Sequence, residues 1–424
     1  MTAHSTGKAP PRTRRPDAPA PEQAKLLLVL AGLSAASPLA TDMYVPALPD
    51  LARSLGTTAS GAQVSLTVFL VGIIVGQLVL GPLSDAVGRR PVLVCGSLLF
   101  AAFSAGCALA PTVEVLDAAR VGQGITGAAG LVVSRAVVTD LFDDRKLPAV
   151  FARLGAITAA APVLAPLAGG ALLLAVTWRY VFALLALVGL LLALGVLRWI
   201  PESHPSDARP TGGLAASLRS IGRVAGQRAV LTPVLALALG GAAVFAYIAG
   251  TTFVFQDIYR LSPALSSLIY GVNAVGNMAG SLAYGSLATR RSPEALLVLS
   301  GALATAGPAA LLVIQTTAGS TMGLTWLCLL ISTAAFGIFF PAVITIAQSR
   351  GRTAPGATSA LLGGGQFLLG AAVSPLVGLF GTHSPAPMAA VMTSCLSLAT
   401  VAALATALTG RGRGSRRDPQ RAGE

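Results

Sequence analysis

Residues 76–90 read GQLVLGPLSDAVGRR, and residues 280–291 read GSLAYGSLATRR. Each stretch closes the second apolar run of its half of the chain and finishes in a pair of arginines. Both copies carry two glycines at the same spacing, where a small residue lets membrane helices pack closely. A motif that recurs at matching positions predicts a chain built from two related halves.

The apolar runs around these motifs predict helices that span a membrane. Of the 424 residues, 54% are hydrophobic and 11% are charged, whereas a soluble domain carries about 25% charged residues. The runs are about 20 residues long and do not alternate in polarity, so they indicate helices rather than a membrane barrel. We therefore predict an all-α membrane protein with twelve transmembrane helices in two pseudo-symmetric six-helix bundles. The predicted spans are 25–48, 60–82, 91–111, 114–139, 147–175, 177–198, 229–256, 262–289, 293–315, 320–348, 355–381 and 384–409.

The basic residues predict the orientation of these spans. Of the 29 Lys and Arg residues, 23 lie in the two termini or in loops on the same side, whereas the opposite loops hold Arg53, Arg179 and Arg260. Cytoplasmic loops carry the excess of positive charge in membrane proteins. Because twelve spans return the chain to the side where it started, we expect both termini in the cytoplasm.

The longest polar segment divides the spans six and six. The first residues are basic, rich in proline and without an apolar signal core, so they predict a disordered tail. The predicted organisation is a disordered cytoplasmic tail at 1–24, an N-terminal bundle at 25–198, a cytoplasmic linker at 199–228, a C-terminal bundle at 229–409 and a cytoplasmic tail at 410–424.

The composition disfavours several classes of function. The net charge of +13 is spread in short tracts between apolar runs, so we expect no nucleic-acid partner. The four cysteines lie in apolar runs and fit no metal-ligand spacing. We find no nucleophile–base set and no phosphate-binding loop that ends in Gly-Lys-Ser/Thr. The sequence therefore predicts neither an enzyme nor an ATP-driven pump.

One carboxylate lies well inside a predicted span. Asp42 belongs to the first span, whereas the other Asp and Glu residues fall in tails, loops or helix ends, with Asp117 in the first turn of the fourth span. Arg120 is a cation well inside the fourth span. A charge at mid-span costs at least ~2.5 kcal/mol, so an ionisable residue there is a functional candidate by default. If a side chain carries a proton through this protein, we expect it to be Asp42.

Residues 81–91, which read GPLSDAVGRRP, resemble the signature loop of the major facilitator superfamily. The resemblance implies the major facilitator fold and a conformational latch that holds the two halves in the outward-facing state. The latch residues would be Gly81, Asp85, Gly88, Arg89 and Arg90. The second copy has Thr289 in place of the aspartate, so we expect a weaker second latch. The alternative is a polar turn whose arginines reach the lipid surface.

Further stretches extend the resemblance along most of the chain. Residues 120–124, with Gly127-Ala128, look like the fourth-helix motif of proton-coupled members. Pro166, Gly169 and Gly170 resemble the antiporter motif, although Ala165 stands where a glycine usually precedes the proline. The branch that the chain resembles is the bicyclomycin/chloramphenicol-resistance (Bcr/CflA-type) branch of drug:proton antiporters. The stretches that carry this resemblance are Thr41–Pro49, Ser134-Arg135-Ala136 and Trp178-Arg179.

This branch implies proton-coupled efflux of lipophilic drugs or antibiotics across the bacterial cytoplasmic (inner) membrane by alternating access. The energy source would be the proton gradient, with no cofactor. The partners would be a small lipophilic substrate, protons and the lipid bilayer, and we expect a monomer. One alternative is a proton-coupled uptake symporter of a small metabolite. Another is a membrane sensor, although that would call for a large soluble domain.

The same resemblance places the first and fourth helices side by side. Asp42 would lie about seven residues (~10 Å) and Arg120 about six residues (~9 Å) below the outer surface, so an ion pair between them is feasible. The guanidinium would stabilise the carboxylate, whereas burial would stabilise the neutral acid. A change in that balance would bind or release a proton. Two alternatives stay open: a fixed structural pair, and an Arg120 that satisfies the backbone of a kinked helix.

The second half supplies most of the candidate substrate-binding residues. Asn273 and Asn277 are four residues apart and share a helix face. An aromatic pocket with few polar groups suits varied lipophilic compounds. The predicted set is Tyr44, Gln123, Tyr247, Asn273, Asn277, Phe336, Phe340 and Gln366, each of which is alternatively a packing or lipid-facing residue.

Overall fold

The computed structural model describes residues 20–142, 150, 161, 164–204, 219, 221–317, 321–351, 355–379 and 383–414. Within them, all regular structure is helical. The long helices are α1 (Ala20–Asp42), α2 (Ala59–Val87), α3 (Arg89–Leu109), α4 (Val113–Leu141), α5 (described over 164–172), α6 (Arg179–Trp199), α7 (Arg228–Phe253), α8 (Pro263–Leu287), α9 (Pro293–Thr317), α10 (Met322–Arg350), α11 (Pro355–Leu379) and α12 (Ala386–Gly414). A 3-10 helix (Val45–Ala47) and a short α-helix (Leu48–Ser54) follow α1, and a π-helical segment (Val254–Ile258) follows α7. Among the described residues, 10 helical segments are long and apolar enough to cross a membrane.

The helices confirm the predicted all-α membrane fold in the part of the chain that the structure describes. About half of the predicted fifth span, 147–175, and half of the predicted linker at 199–228 lie outside the described residues. So do the predicted tails before residue 20 and after residue 414. Helix α1 begins at Ala20, earlier than the predicted start at residue 25.

Four helices begin with a hydroxyl-bearing cap at one end of the molecule, which we call the capped end. Thr58 precedes α2 and Thr112 precedes α4, and the side-chain oxygen of each accepts the backbone N–H three residues further on. Ser262 and Thr321 do the same for α8 and α10. Such a cap satisfies an N–H that the first turn of a helix leaves unpaired. Corresponding helices of the two halves therefore start with the same kind of hydroxyl cap.

The repeated glycine motif brings helices into backbone contact. A Cβ atom at Gly76 on α2 would overlap the carbonyl oxygen of Ile125 on α4. In the second half, a Cβ atom at Gly280 on α8 would overlap the carbonyl oxygen of Ala334 on α10. Small residues are what allow membrane helices to approach this closely. Both copies of the motif thus form the same close contact between the second and fourth helices of their half.

Helix α1 ends inside the predicted first span. The helix stops at Asp42, and the chain turns before the Val45–Ala47 segment. Pro46 explains this end, because proline has no N–H to donate to the carbonyl four residues earlier, and its ring collides with that carbonyl. The predicted continuous helix over 25–48 is therefore wrong at its end, and the depth of Asp42 cannot be counted from Pro49 along a helix.

The described helices pack in two groups. Helices α1 to α4 and α6 pack on one another, and α7 to α12 pack on one another. The main contact between the groups is made by α2 and α11. The faces that look away from both groups carry exposed Leu and Val side chains, such as Leu187, Leu191 and Leu194 on α6. This pattern fits helices that present an apolar surface to lipid.

Gln63 on α2 joins the two groups at the capped end. Its side chain is fully buried. The Nε2 atom donates to the carbonyl of Ala249 on α7 at 3.1 Å, and Oε1 accepts from the N–H of Gly378 on α11 at 3.0 Å. One amide side chain therefore holds the backbones of two helices from the other half.

Three further side chains close the same end. Ser60 and Thr67 on α2 donate to backbone carbonyls of α11 at 3.3 and 3.0 Å. Gln256, just after α7, donates to the carbonyl of Pro46 at 2.9 Å. Within the described residues, every hydrogen bond that joins the two groups lies at this end. The capped end is therefore closed, and we call this set of contacts the seal.

Replacing Gln63 by leucine is expected to loosen the seal. The Ala249 carbonyl and the Gly378 N–H would lose their partners in a buried place, where each unpaired group costs about 1–3 kcal/mol. We expect a cysteine introduced at Thr67, which belongs to the seal and lies one turn from Gln63, to react faster with a membrane-impermeant maleimide added from the capped end than in the parent that carries the same cysteine. The assay uses a background without the four native cysteines.

Gln77→Leu is the matched control for this variant. It makes the same change on the same helix, nearer the other end of the molecule, at a side chain for which no hydrogen bond is found in the described part of the chain. Its maleimide rate should match that of the parent. If Gln63→Leu reacts no faster than Gln77→Leu, Gln63 does not hold the seal.

Candidate functional site

Arg120 on α4 is fully buried and caps the end of α1. Its Nη1 atom donates to the carbonyl of Ala40 at 3.1 Å, which is one of the last four carbonyls that α1 leaves without a helical partner. Nη1 also donates to Oε1 of Gln123 at 2.7 Å, and Nε donates to the carbonyl of Ser65 on α2 at 3.3 Å. A cation is favourable here because a helix C-terminus carries partial negative charge.

Aromatic rings complete the surroundings of this guanidinium. The Cζ atom of Arg120 lies 4.1 Å from the ring centroid of Phe69, 4.7 Å from that of Tyr44 and 5.6 Å from that of Phe182. A desolvated cation over an aromatic face gains about 2 kcal/mol. Asp117, one turn earlier on α4, acts electrostatically on the same group. The charge is therefore surrounded by backbone carbonyls, aromatic rings and a neighbouring acid.

The ion pair between Asp42 and Arg120 that the sequence made feasible is not formed in this structure. The donors of Arg120 that are hydrogen-bonded go to Ala40, Ser65 and Gln123. Neither charged group acts electrostatically on the other. Asp42 stays partly exposed, and it acts electrostatically on the hydroxyl groups of Tyr247 on α7 and Tyr270 on α8.

The segment after Asp42 confirms that this carboxylate lies where the halves meet. Residues Val45–Ala47 contact both α7 and α8. The alternative in which Arg120 satisfies the backbone of an interrupted helix describes the structure, although the interrupted helix is α1. The two intramembrane charges are thus separated, one inside the first half and one between the halves.

Two residues predicted to bind substrate lie in the core of the first half. Tyr44 is fully buried, and its hydroxyl is hydrogen-bonded to Oγ of Ser65. Gln123 is also fully buried, with Oε1 accepting from Arg120 and Nε2 donating to Oγ of Ser104 at 2.7 Å. The structure therefore places both side chains around Arg120, with their polar atoms engaged, and not at the junction of the halves.

Asn273 connects three helices of the second half. Its side chain is 1% exposed, Nδ2 donates to the hydroxyl oxygen of Tyr247 at 2.9 Å, and Oδ1 accepts from Nε1 of Trp326 at 3.1 Å. These residues belong to α8, α7 and α10. Asn273 thus orients Tyr247 in this structure, and both polar atoms of its amide make hydrogen bonds within the second half.

The other predicted residues of the second half differ in access. Asn277 donates to a backbone carbonyl of α10 at 3.2 Å, and Phe336 is buried with its ring centroid 5.8 Å from that of Phe340. Phe340 and Gln366 are partly exposed. The structure brings Tyr247 and Asn273 to the vicinity of Asp42 through α7 and α8, whereas Phe336 and Phe340 lie further along α10.

The glycines of the predicted antiporter motif lie where α5 meets both α1 and α8. A Cβ atom at Gly169 would overlap the carbonyl oxygen of Met43, in the break after α1. A Cβ atom at Gly170 would overlap the Oγ atom of Ser267 on α8. Pro166 lies one turn earlier on the same helix. The motif therefore permits close contact with the Asp42 segment and with the second half at once.

The loop predicted to form a latch lies at the other end of the molecule, which we call the arginine end after Arg89, Arg90, Arg290, Arg291 and Arg350. Arg89 is buried, with Nη1 2.5 Å from Asp85 and Nε 3.2 Å from Asp140. Gly88 has φ = 114°, a conformation that favours glycine, and it lets α3 start directly after α2. These ion pairs stay inside the first half, so the loop does not join the halves in this structure.

Sequence reasoning missed two acidic partners of this loop. Asp140 lies at the end of α4, and Glu202 lies just after α6. Glu202 accepts the backbone N–H groups of Arg89 and Arg90 at 2.9 and 3.1 Å, so it caps the start of α3. A carboxylate is favourable at a helix N-terminus. The available signal was position, since both acids closely follow the ends of predicted spans on the side of Arg89 and Arg90.

The second half holds a corresponding ion pair with the signs exchanged. In the first half, the cation Arg89 at the start of α3 meets the acid Asp140 at the end of α4. In the second half, the acid Glu294 at the start of α9 meets the cation Arg350 at the end of α10 at 3.5 Å. Thr289, which replaces the latch aspartate, donates to a carbonyl of its own helix end. The halves share a scaffold at this end but use different charges.

Comparisons with known proteins are consistent with this architecture. Residues 30–375 match the family model described as Major Facilitator Superfamily. The chain is 38% identical over 377 residues to the uncharacterized MFS-type transporter YdgK of Bacillus subtilis, covering 88% of this chain and 92% of the relative. It is 28% identical over 386 residues to a bicyclomycin resistance protein homolog of Haemophilus influenzae, covering 89% and 94%. Among solved structures it is similar to a D-xylose-proton symporter, with a TM-score of 0.71 at 16% identity over 91% of this chain and 97% of the other.

Arg120→Lys is expected to lower the thermal stability of the protein. A single ammonium cannot reach the Ala40 carbonyl, the Ser65 carbonyl and Gln123 together, so at least one buried acceptor loses its partner, at about 1–3 kcal/mol. The unfolding midpoint of the purified protein should fall. Arg53→Lys, at a side chain that is 66% exposed, is the control and should leave the midpoint unchanged. Equal midpoints for the two variants would contradict the capping role.

Gly169→Ala and Gly170→Ala are both expected to impair transport, but only the second should be rescued. Ser267→Gly removes the side chain that the new methyl group at residue 170 would meet. The methyl group at residue 169 meets backbone, which no side-chain change can remove. Transport rates of the two double variants with Ser267→Gly measure the difference. Rescue of both, or of neither, would contradict this packing of α5.

Proposed function

Because the chain belongs to the Major Facilitator Superfamily, we propose that this transporter exports lipophilic drugs in exchange for protons. The relative named as a bicyclomycin resistance protein homolog matches along most of both chains, which supports the bicyclomycin/chloramphenicol-resistance branch and hence efflux. Its multiple apolar helices make it a multi-pass membrane protein. The proposal concerns the direction of transport, the coupling ion and the class of substrate.

We place the arginine end in the cytoplasm, because most Lys and Arg residues lie in the termini and the loops of that side. The capped end then faces outward. With the seal closed, we assign this structure to a state of the alternating-access cycle that is closed to the outside. The latch loop fits that state, since its ion pairs to Asp85 and Asp140 stay within the first half.

The observation that carries the proposal is the position of Asp42. It is a partly exposed carboxylate within the membrane, where the two halves meet, and no cation neutralises it among the described residues. An intramembrane acid in such a position is a typical proton carrier. A protonated Asp42 and a bound substrate would exclude each other at the same junction. The transport cycle would therefore exchange protons for substrate.

The side chains near Asp42 support a lipophilic substrate over a sugar. Tyr247 and Tyr270 supply aromatic surface, and the amides of Asn273 and Asn277 are engaged in bonds within the second half. A sugar site would need several free hydrogen-bonding groups, whereas a largely apolar pocket suits drug-like compounds. The fold itself does not decide between export and uptake, since a D-xylose-proton symporter shares it. The antiporter-type glycines on α5 favour export.

Asp42→Asn tests the proposal in everted membrane vesicles. The amide cannot take up or release a proton, so accumulation of lipophilic compounds driven by a proton gradient should be lost while the protein remains folded. Bicyclomycin and a lipophilic fluorescent dye form a minimal panel, measured with and without the gradient. Asp50→Asn, eight residues further on and 48% exposed, is the control and should retain transport.

Two results would contradict the proposal. One is gradient-dependent accumulation that persists in Asp42→Asn and still responds to pH. The other is movement of substrate in the uptake direction, out of everted vesicles, which would favour a symporter.

A further inference from the structure

The arginine pair of the first repeated motif is bound within the protein. Arg89 is buried and forms ion pairs with Asp85 and Asp140. The Nη2 atom of Arg90 donates to the carbonyl of Leu197 on α6 at 2.6 Å. Both positive charges of this pair therefore have partners inside the first half.

The arginine pair of the second motif is exposed. The side chains of Arg290 and Arg291 have no hydrogen-bond or ion-pair partner in the part of the chain that the structure describes. Their backbone N–H groups both donate to the carbonyl of Leu287 at 2.9 Å, so the turn after α8 is held in place. The second motif thus presents two positive charges on an ordered turn at the arginine end.

The second motif also lacks an acid for its arginines. Thr289 stands where the first motif has Asp85, and it donates to a carbonyl of its own helix end. The nearest acid along the chain, Glu294, meets Arg350 on α10 at 3.5 Å. An anion that pairs with this turn would therefore come from outside the described part of the chain.

The surface beside the exposed turn is open and apolar. A Cβ atom at Gly81 in the first motif would lie 3.3 Å from Val132 on α4, whereas a Cβ atom at the corresponding Gly285 would meet nothing within 4 Å. Leu282 on α8 is 72% exposed and Leu299 on α9 is 68% exposed. A ligand that reaches the two arginines along these helices therefore also contacts leucine side chains.

The same leucines place the turn at the level of the lipid headgroups. Leu282 lies five residues (~8 Å) before the end of α8, and Leu299 lies six residues (~9 Å) after the start of α9. An exposed leucine on a membrane helix faces hydrocarbon, and the headgroup region beyond the hydrocarbon is about 5–8 Å thick on each side. The arginine turn thus reaches the layer that contains the lipid phosphates.

We propose that Arg290 and Arg291 bind the phosphate of an anionic phospholipid, such as phosphatidylglycerol, in the cytoplasmic leaflet. The planar guanidinium group matches phosphate oxygens with two parallel N–H donors. The anionic cytoplasmic leaflet attracts basic segments next to membrane helices. The membrane thereby supplies the anion that the first motif takes from Asp85. The inference goes beyond the proposed function, because it depends on neither proton coupling nor export.

A phospholipid fits this surface better than a soluble anion does. Inorganic phosphate or an acidic peptide would contact the guanidinium groups and leave the neighbouring leucines uncovered. A phospholipid joins a phosphate to acyl chains, and the surface joins two arginines to leucines that lie one to two helical turns away. Charge and apolar contact are therefore both satisfied by one ligand.

The experiment measures how strongly phosphatidylglycerol is enriched beside the second motif. A bimane label is attached to Leu282→Cys in the full-length protein without its four native cysteines, in nanodiscs of phosphatidylcholine and phosphatidylglycerol. Quenching by phosphatidylglycerol with a nitroxide on its acyl chain is divided by quenching by phosphatidylcholine that carries the same nitroxide at the same mole fraction. We expect an enrichment of about fivefold or more, the factor that one arginine near an anionic surface provides.

Leu78→Cys supplies the matched control position. Leu78 occupies the corresponding place on α2 and is also exposed, but the arginines of its motif are bound within the protein. Little or no enrichment is expected there. In the Leu282→Cys protein, glutamine at both Arg290 and Arg291 should lower the enrichment to the level at Leu78, whereas lysine at both should retain most of it.

Several outcomes would overturn the inference. One is equal enrichment at Leu282 and Leu78, and another is enrichment at Leu282 that survives the double glutamine variant. Loss of enrichment in inorganic phosphate, but not in sodium chloride of the same ionic strength, would identify a site for soluble phosphate instead. A lower unfolding midpoint of the glutamine variant would show that the arginines serve the fold, which would also contradict a lipid site.

Discussion

A helix that ends inside a membrane leaves carbonyl groups that lipid cannot satisfy. Pro46 imposes such an end on α1, and Arg120 from α4 meets the requirement by donating to the Ala40 carbonyl. The rest of the first half is arranged around this bond. Gln123 and the Ser65 carbonyl accept further donors of the guanidinium, and three aromatic rings surround it. Because the cation is bound to the backbone, Asp42 has no cationic partner among the described residues.

Much of the fold was predictable because its causes are local. Apolar runs of membrane length, hydroxyl caps and paired glycines act within one helix or between neighbours, and they place the helices and the repeat. The end of α1 was predictable in principle, since Pro46 removes the N–H that the Asp42 carbonyl would need. The absence of an ion pair between Asp42 and Arg120 was not, because it depends on how α1 is rotated against α4.

The candidate site was likewise predictable only in part. Asp42, Arg120 and the α5 glycines were found from residue type and position, because a charge or a glycine in a membrane helix needs a specific reason. The hydrogen-bond partners of the amide side chains were not predictable. Asn273, for example, accepts from Trp326, which lies 53 residues away on another helix. The acids Asp140 and Glu202 were not predicted as partners of the latch loop for a similar reason. They contact the loop only because the ends of α4 and α6 pack next to it. Sequence identifies groups that must be partnered, and tertiary packing selects the partner.

The buried guanidinium also has a consequence for how the chain is made. A newly synthesised α4 that reached the lipid alone would expose Arg120 at a cost of at least ~2.5 kcal/mol. Its acceptors lie on α1 and α2, which leave the ribosome earlier and can already be inserted. Stable integration of α4 is therefore expected to depend on the prior insertion of the first two helices.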